Sequence, residues 1–156
     1  MQFNTVLPWP GSVRGRYDPD SQLADRSTVE IAAWLKVLVR DPRLRLNDIW
    51  ALEKIQGEII TLNDQQARPR LEINLHKMQV TGTDGCNNYS GGIKVLDAER
   101  LQFGSMASTR KLCPDMAVAN QFNVQMVKAH RYVLEELKLH LFDAQGNELF
   151  VFQKID

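Results

Sequence analysis

From Asn47 onward the apolar residues recur at every second position, in short runs divided by turn-forming residues. This alternation restricts the fold more than any other feature of the chain. A period of two sends successive side chains to opposite faces of a strand, so each run has one face to bury. Ile49 to Ile55, which includes Trp50, and Glu58 to Leu62 read as strands around a turn at Gln56-Gly57. Leu71, Ile73 and Leu75 alternate with Glu72 and Asn74, and the chain returns through Met78 and Val80 after His76-Lys77, as a hairpin does. Ile93 to Val95 and Leu101 to Phe103 pair around Asp97-Ala98. Leu137, Leu139 and Leu141 alternate with Lys138 and His140, Asp143 to Asn147 turns the chain, and Leu149 to Gln153 runs back. Strands recurring about every 8–12 residues with turn chemistry between them predict an antiparallel barrel or sandwich.

One helix interrupts the pattern. Pro114 suits a first helical residue, which has no use for an N–H, and Asp115 complements the positive helix end. Val118, Phe122, Gln125, Met126 and Ala129 then share a face, with His130 and Arg131 in the last turn. A methionine and aromatic stripe at this spacing is core packing rather than a cofactor box, so the helix is expected to cover one end of the β structure. Two segments precede the β region. Residues 1–26, rich in Pro, Gly, Arg and Asp without periodicity, read as an irregular, flexible arm. Residues 27–46 read as a helix and linker: Ser27 and Glu30 form a capping box, Ile31, Trp34, Leu35 and Leu38 make one apolar face, and Asp41-Pro42 ends it. That face packs on the chain's own sheet, the favoured reading, or docks a protein partner or a second copy.

A chain of 156 residues accommodates one domain with an added segment. Lysine plus arginine equals aspartate plus glutamate at 19 each, so the balanced chain gives no electrostatic argument for nucleic acid or for an anionic membrane surface. No apolar run approaches the roughly 20 residues that span a bilayer. The sequence as it stands opens without a basic n-region, an apolar h-region or a lipid-accepting cysteine, so no export signal is expected. No phosphate loop, dinucleotide fingerprint, H-E-x-x-H, EF-hand or G-x-S-x-G elbow is present. His76 falls at a hairpin turn, His130 at a helix end and His140 on the solvent face of a strand, while Ser90, Ser105 and Ser108 fall in loops. Asp84 and Asp97 occupy turn positions that favour aspartate anyway. The expectation is a protein that is not an enzyme and uses no cofactor and no metal; a hydrolase would need residues that meet only in space.

Val80-Thr81-Gly82-Thr83-Asp84-Gly85-Cys86-Asn87-Asn88-Tyr89-Ser90-Gly91 resembles the hallmark of the META domain family, the HslJ-like proteins. The stretch Leu101-Gln102-Phe103-Gly104-Ser105-Met106-Ala107-Ser108-Thr109-Arg110-Lys111-Leu112-Cys113-Pro114 resembles its second motif. Ile49-Trp50-Ala51-Leu52 with Gly57, and the turn around Asp143 and Gly146, match its first and last strands, so the resemblance covers residues 47–156. It implies a mainly β, α+β fold: a small antiparallel β-barrel with one packed helix, here with an extra N-terminal helix. It further implies a stress- or virulence-associated accessory protein of the bacterial cell envelope that acts by binding an unknown protein; the inward-facing Leu, Val and Phe along the last strands add a small apolar ligand in the barrel mouth as a second reading. Family members are usually exported or lipid-anchored, so the resemblance implies periplasm or outer membrane, whereas the missing signal leaves the cytoplasm open.

The motif residues Gly85, Cys86, Asn87, Asn88, Ser90, Gly91, Ser108, Thr109 and Arg110 carry two physical readings. Asp84-Gly85 is a turn signal, Asn87 and Asn88 can bond nearby backbone, and Gly91-Gly92 suggests a bulge or a close backbone approach. Together they fix the geometry of a barrel mouth, the favoured reading, or hold a small anion beside a helix N-terminus. Cys86 and Cys113 are the only two cysteines, one in each motif. In an oxidising compartment they would form a disulfide, and in a reducing one they would remain two thiols packed as small hydrophobes.

Overall fold

The structure, a computed structural model, describes residues 42–155. A helical turn α1 (Pro42–Leu46) is followed by β1 (Ile49–Ile55), β2 (Glu58–Ile59), β3 (Arg70–Asn74), β4 (Gln79–Thr83), β5 (Asn88–Leu96) and β6 (Leu101–Ser108). Helix α2 (Ala117–Met126) and then β7 (Arg131–Glu135), β8 (Lys138–Phe142) and β9 (Glu148–Ile155) complete the order. The arm 1–26 and the apolar face of Ile31, Trp34, Leu35 and Leu38 lie outside the described residues.

Eight strands form one antiparallel sheet in the order β6-β5-β4-β3-β1-β9-β8-β7, with β2 paired only to the end of β1. The sheet curls into a half-barrel. Its outermost strands touch at one place, the Arg100–Arg131 bridge, where Leu101 N–H donates to the His130 carbonyl (3.0 Å) and Tyr132 N–H to the Glu99 carbonyl (2.9 Å). Alternation decides which faces turn inward: Leu71 and Ile73 of β3, Leu139 and Leu141 of β8, and Trp50 and Leu52 of β1 are all buried. β9 breaks the pattern, since Leu149, Phe150, Val151 and Phe152 are buried in succession. It lies in the middle of the sheet, and Val151 sits opposite His140 on the outer face.

Phe122 of α2 fills the inside. Its ring lies 5.1 Å from Phe150, 5.8 Å from Tyr89 and 6.5 Å from Phe152, and it is fully buried. Tilted and edge-on ring contacts of this kind add to the area they bury. Leu46, which the sequence reading places in a linker, is also fully buried, and its carbonyl accepts the Trp50 indole N–H at 3.0 Å.

The helix and its flanks depart from the sequence reading. α2 starts at Ala117 rather than at Pro114, and the Asp115 carboxylate accepts the Ala117 N–H (2.9 Å). His130 and Arg131 do not close the helix; Arg131 opens β7, a strand the periodicity does not reveal. The reason is physical: an edge strand with one neighbour needs only one buried residue, here Tyr132, and leaves Val133 about half exposed. A left-handed residue, Glu136 (φ 56°), turns β7 into β8. β2 stops at Ile59 instead of running to Leu62.

Candidate functional site

β4 delivers Thr83 to a tight turn, Asp84 to Asn87, before β5 begins. Gly85 has φ +102°, and a Cβ there would also come within 2.9 Å of the Ala67 carbonyl, so both backbone and space require glycine. Asp84 is only 3% exposed. One of its oxygens accepts the N–H groups of Cys86 (2.8 Å) and Asn87 (2.6 Å), and the other accepts the Asn123 carboxamide of α2 (2.7 Å). A buried carboxylate is tolerated when donors surround it in this way.

Asn87 reaches a different segment. Its side-chain oxygen accepts the Lys111 N–H (2.6 Å) and the Thr109 hydroxyl (2.8 Å), and its side-chain nitrogen donates to the Lys111 carbonyl (2.9 Å). One carboxamide thus pairs with a backbone as a strand would. Asn88 N–H donates to the Thr109 hydroxyl (3.2 Å), and Thr109 N–H returns a bond to the Asn88 carbonyl (3.0 Å). Cys86 and Cys113 are disulfide-bonded, with Cα atoms 6.0 Å apart.

Behind this lock, the Tyr89 hydroxyl donates to the Arg70 carbonyl (2.7 Å). Burial raises the Tyr89 pKa far above the usual phenol range, the Asp84 charge adds to the rise, and Arg70 opposes it. A Cβ at Gly82 would run into the Arg70 carbonyl, and one at Gly91 would come within 2.5 Å of the Met106 sulfur, so both glycines serve close approach. β5 is bulged against β6 between Gly91 and Ile93.

The structure therefore brings Cys86, Asn87, Asn88, Thr109 and Cys113 into one cluster. Ser90 and Ser108 sit in strand pairs with Ala107 and Tyr89, and Arg110 is exposed beside the cluster. Sequence reasoning missed Asn123 and the roles of Asp84 and Tyr89. No sequence signal singles out Asn123, since α2 also carries Asn120, Gln121 and Gln125. The amides that would cradle an anion at the turn already face Asp84.

His140 is not on an open solvent face. Its side chain is 17% exposed, with Nδ1 2.8 Å from Glu148 and Nε2 3.3 Å from Glu135. The first contact is a hydrogen bond; the second is close but poorly aligned, since Nε2 makes no hydrogen bond. Asp84 and Asp97 are not a pair, for they occupy turns at opposite ends of β5. The backbone N–H groups of Glu99 and Arg100, followed by the Arg100 side chain, lower the Asp97 pKa to about 2. Asn147 N–H chiefly lowers that of Asp143. Among the described residues, no three His, Cys, Asp or Glu side chains gather to hold a metal ion. No described helix is long and apolar enough to cross a membrane.

A curled antiparallel half-barrel, plugged by one helix and locked where its central turn meets the segment before that helix, defines a class of small β module. The sequence profile of the META domain matches residues 43–156, and the chain belongs to that family. The fold is similar to that of a protein solved by NMR, at 23% identity and TM-score 0.55, covering 70% of this chain and 90% of that one. An NMR structure of a protein from Burkholderia xenovorans is similar at 21% identity and TM-score 0.54, covering 71% and 85%. A crystal structure of a DUF4847 family protein from Bacteroides vulgatus ATCC 8482 is similar at 13% identity and TM-score 0.50, covering 74% and 99%. No curated protein matches the chain.

Proposed function

We propose that this META domain is a non-enzymatic accessory module of the bacterial cell envelope that acts by binding at its outer surface. The observation that carries this reading is how the motif residues are used. Asp84, Asn87 and Thr109 satisfy one another and nearby backbone, and Cys86 and Cys113 are bonded together. These groups hold a loop, and a nucleophile or general base needs a free reactive atom. A disulfide between partly exposed cysteines suits an oxidising compartment, which supports the envelope over the cytoplasm. The stress or virulence association rests on the family resemblance.

An apolar ligand inside the barrel loses its support, because Phe122, Phe150, Phe152 and Trp50 occupy that space. Binding then belongs to the outside. The apolar face Ile31, Trp34, Leu35 and Leu38, in the proposed helix and linker 27–46, is a second candidate for protein contact or dimerisation. The first test is a free-thiol count, by mass after alkylation under denaturing, non-reducing conditions, on protein taken from its native host. Zero free thiols is the expected result. Two would place the protein in a reducing compartment and sink the envelope reading.

A further inference from the structure

Gln125 sits where an apolar side chain belongs. It lies on the buried face of α2 with Phe122 and Met126, and it is only 6% exposed. Its side-chain oxygen is fully enclosed and has no hydrogen-bond partner. Its amide nitrogen makes no hydrogen bond among the described residues either. A methionine would fill this position without leaving a polar group unpaired, so packing does not account for the carboxamide.

Gln125 lines an open pocket of about 560 Å³, a size common among small-molecule sites. Being buried, it forms the floor, and the exposed Lys128 stands at the rim. One wall is the β1–β2 turn, Gln56-Gly57, and the other is the β8–β9 turn with Asp143, Asn147 and Glu148. Both walls are fixed without a ligand. Gln56 N–H donates to the Leu149 carbonyl (2.9 Å), the Gln121 carboxamide to that of Gln56 (3.1 Å), and Asp143 N–H to the Asn147 carbonyl (2.9 Å). A site formed in advance loses little freedom on binding.

The polar groups left over decide what fits. Gln56 accepts from Gln121 through its oxygen, which leaves its amide nitrogen free to donate. Lys128 forms no ion pair among the described residues. Asn147 donates its carboxamide N–H to Asp143 (3.1 Å) and keeps its side-chain oxygen. Glu148 meets His140 through Oε2 (2.8 Å) and keeps Oε1. Free donors and free acceptors therefore stand side by side.

A phosphate or carboxylate would use only the donors and would face Asp143 and Glu148. An ammonium ion would use only the acceptors and would face Lys128 and the amide nitrogens. An apolar ligand would find only Leu149, which is 2% exposed. A peptide backbone donates and accepts, but its side chains would meet no apolar surface here. A hydroxyl does both at once, so a neutral ligand bearing several engages the whole set. A half-turn of the Gln125 carboxamide exchanges its oxygen and nitrogen, so it answers a hydroxyl in either role.

We propose that this pocket binds a saccharide unit. Gln125 meets one hydroxyl at the floor, Gln56 and Lys128 donate from one side, and Asn147 and Glu148 accept from the other. The proposal rests on the reading of the domain as a module that binds at its outer surface, and it names the ligand class.

The test is a nuclear magnetic resonance titration of the oxidised, nitrogen-15-labelled full chain with maltose, cellobiose and N,N′-diacetylchitobiose, and with glycerol as control. At least one disaccharide is expected to shift the Gln125 side-chain amide and the backbone amides of Gly57, Lys128 and Asn147, saturating in the millimolar range. Gln125→Met keeps the packing and weakens that binding about tenfold, the effect of one lost hydrogen bond. Lys94→Gln, on β5 outside the pocket lining, leaves it unaltered. Should Gln125→Met lose the native spectrum, Gln56→Asn with Lys128→Ala, both at exposed positions, is expected to weaken binding by at least as much. No saturable shift at these residues, equal shifts with glycerol, or binding that the pocket variants retain overturns the proposal. So does saturation by triglycine or by ethylammonium ion in place of every disaccharide. The titration reads neither compartment nor redox state, so it and the thiol count can fail separately.

Discussion

Asn87 shows how much of this fold hangs on a single side chain. Its carboxamide satisfies both backbone groups of Lys111 and the Thr109 hydroxyl, at 8% exposure, where water does not readily replace it. Asn87→Ala removes three hydrogen bonds, and the expected loss is about 1–3 kcal/mol. A lowered urea midpoint with an unchanged m-value would bear this out; an unaltered midpoint would mean that water already serves these groups. The sequence showed an asparagine suited to bending its own turn. It did not show that the side chain crosses to a segment 24 residues later, because spacing along a chain says nothing about such a reach.

At the level of elements, the helix and the turns do separate jobs. Phe122 is the plug, and Phe122→Ala is expected to cost about 3–5 kcal/mol, read from thermal or denaturant unfolding. A loss under about 1 kcal/mol would mean that the barrel collapses to fill the space. The β5–β6 turn carries a pH signature. The folded-state pKa of Asp97 is lowered to about 2, below its ordinary value near 3.9. Its contribution is therefore present above about pH 4 and is lost as the pH falls through about 2. In Asp97→Asn the drop in Tm between pH 5 and pH 2 should shrink; an equal drop would show the carboxylate to be as free in the folded chain as in the unfolded one.

The hairpins were legible because each strand with two neighbours must hide a full face, and Leu71, Ile73, Leu139 and Leu141 announce theirs. β7 was not, since its edge position relaxes that demand. The start of α2 was misplaced because Pro114 and Asp115 fit either a helix start or the bend before one. The motif loop could be located from its glycines and asparagines, but Asp84 and Asn123 meet only through the fold.

Across the whole molecule, the disulfide and the Asn87 lock secure the same seam in parallel. The cysteines are 27 residues apart, and a cross-link of that span contributes about 3–4 kcal/mol on the chain-entropy argument. Reduction should lower stability by roughly that amount while the far-ultraviolet circular dichroism stays native, because Asn87 still holds Lys111. Unfolding on reduction alone would show the lock to be insufficient.

The strand order carries one more consequence. β1 lies between β3 and β9, so the earliest strand of the sheet has the latest as its neighbour. The strands between them form two runs of local hairpins, β3 to β6 and β7 to β9, and each hangs from one side of β1. While the chain is being synthesised, β1 can acquire partners on one edge only, β2 at its end and then β3. Its other edge stays bare until the ribosome has finished almost the whole domain. In order of synthesis, the last pairing that β1 receives is with β9, the strand that joins the two runs of hairpins.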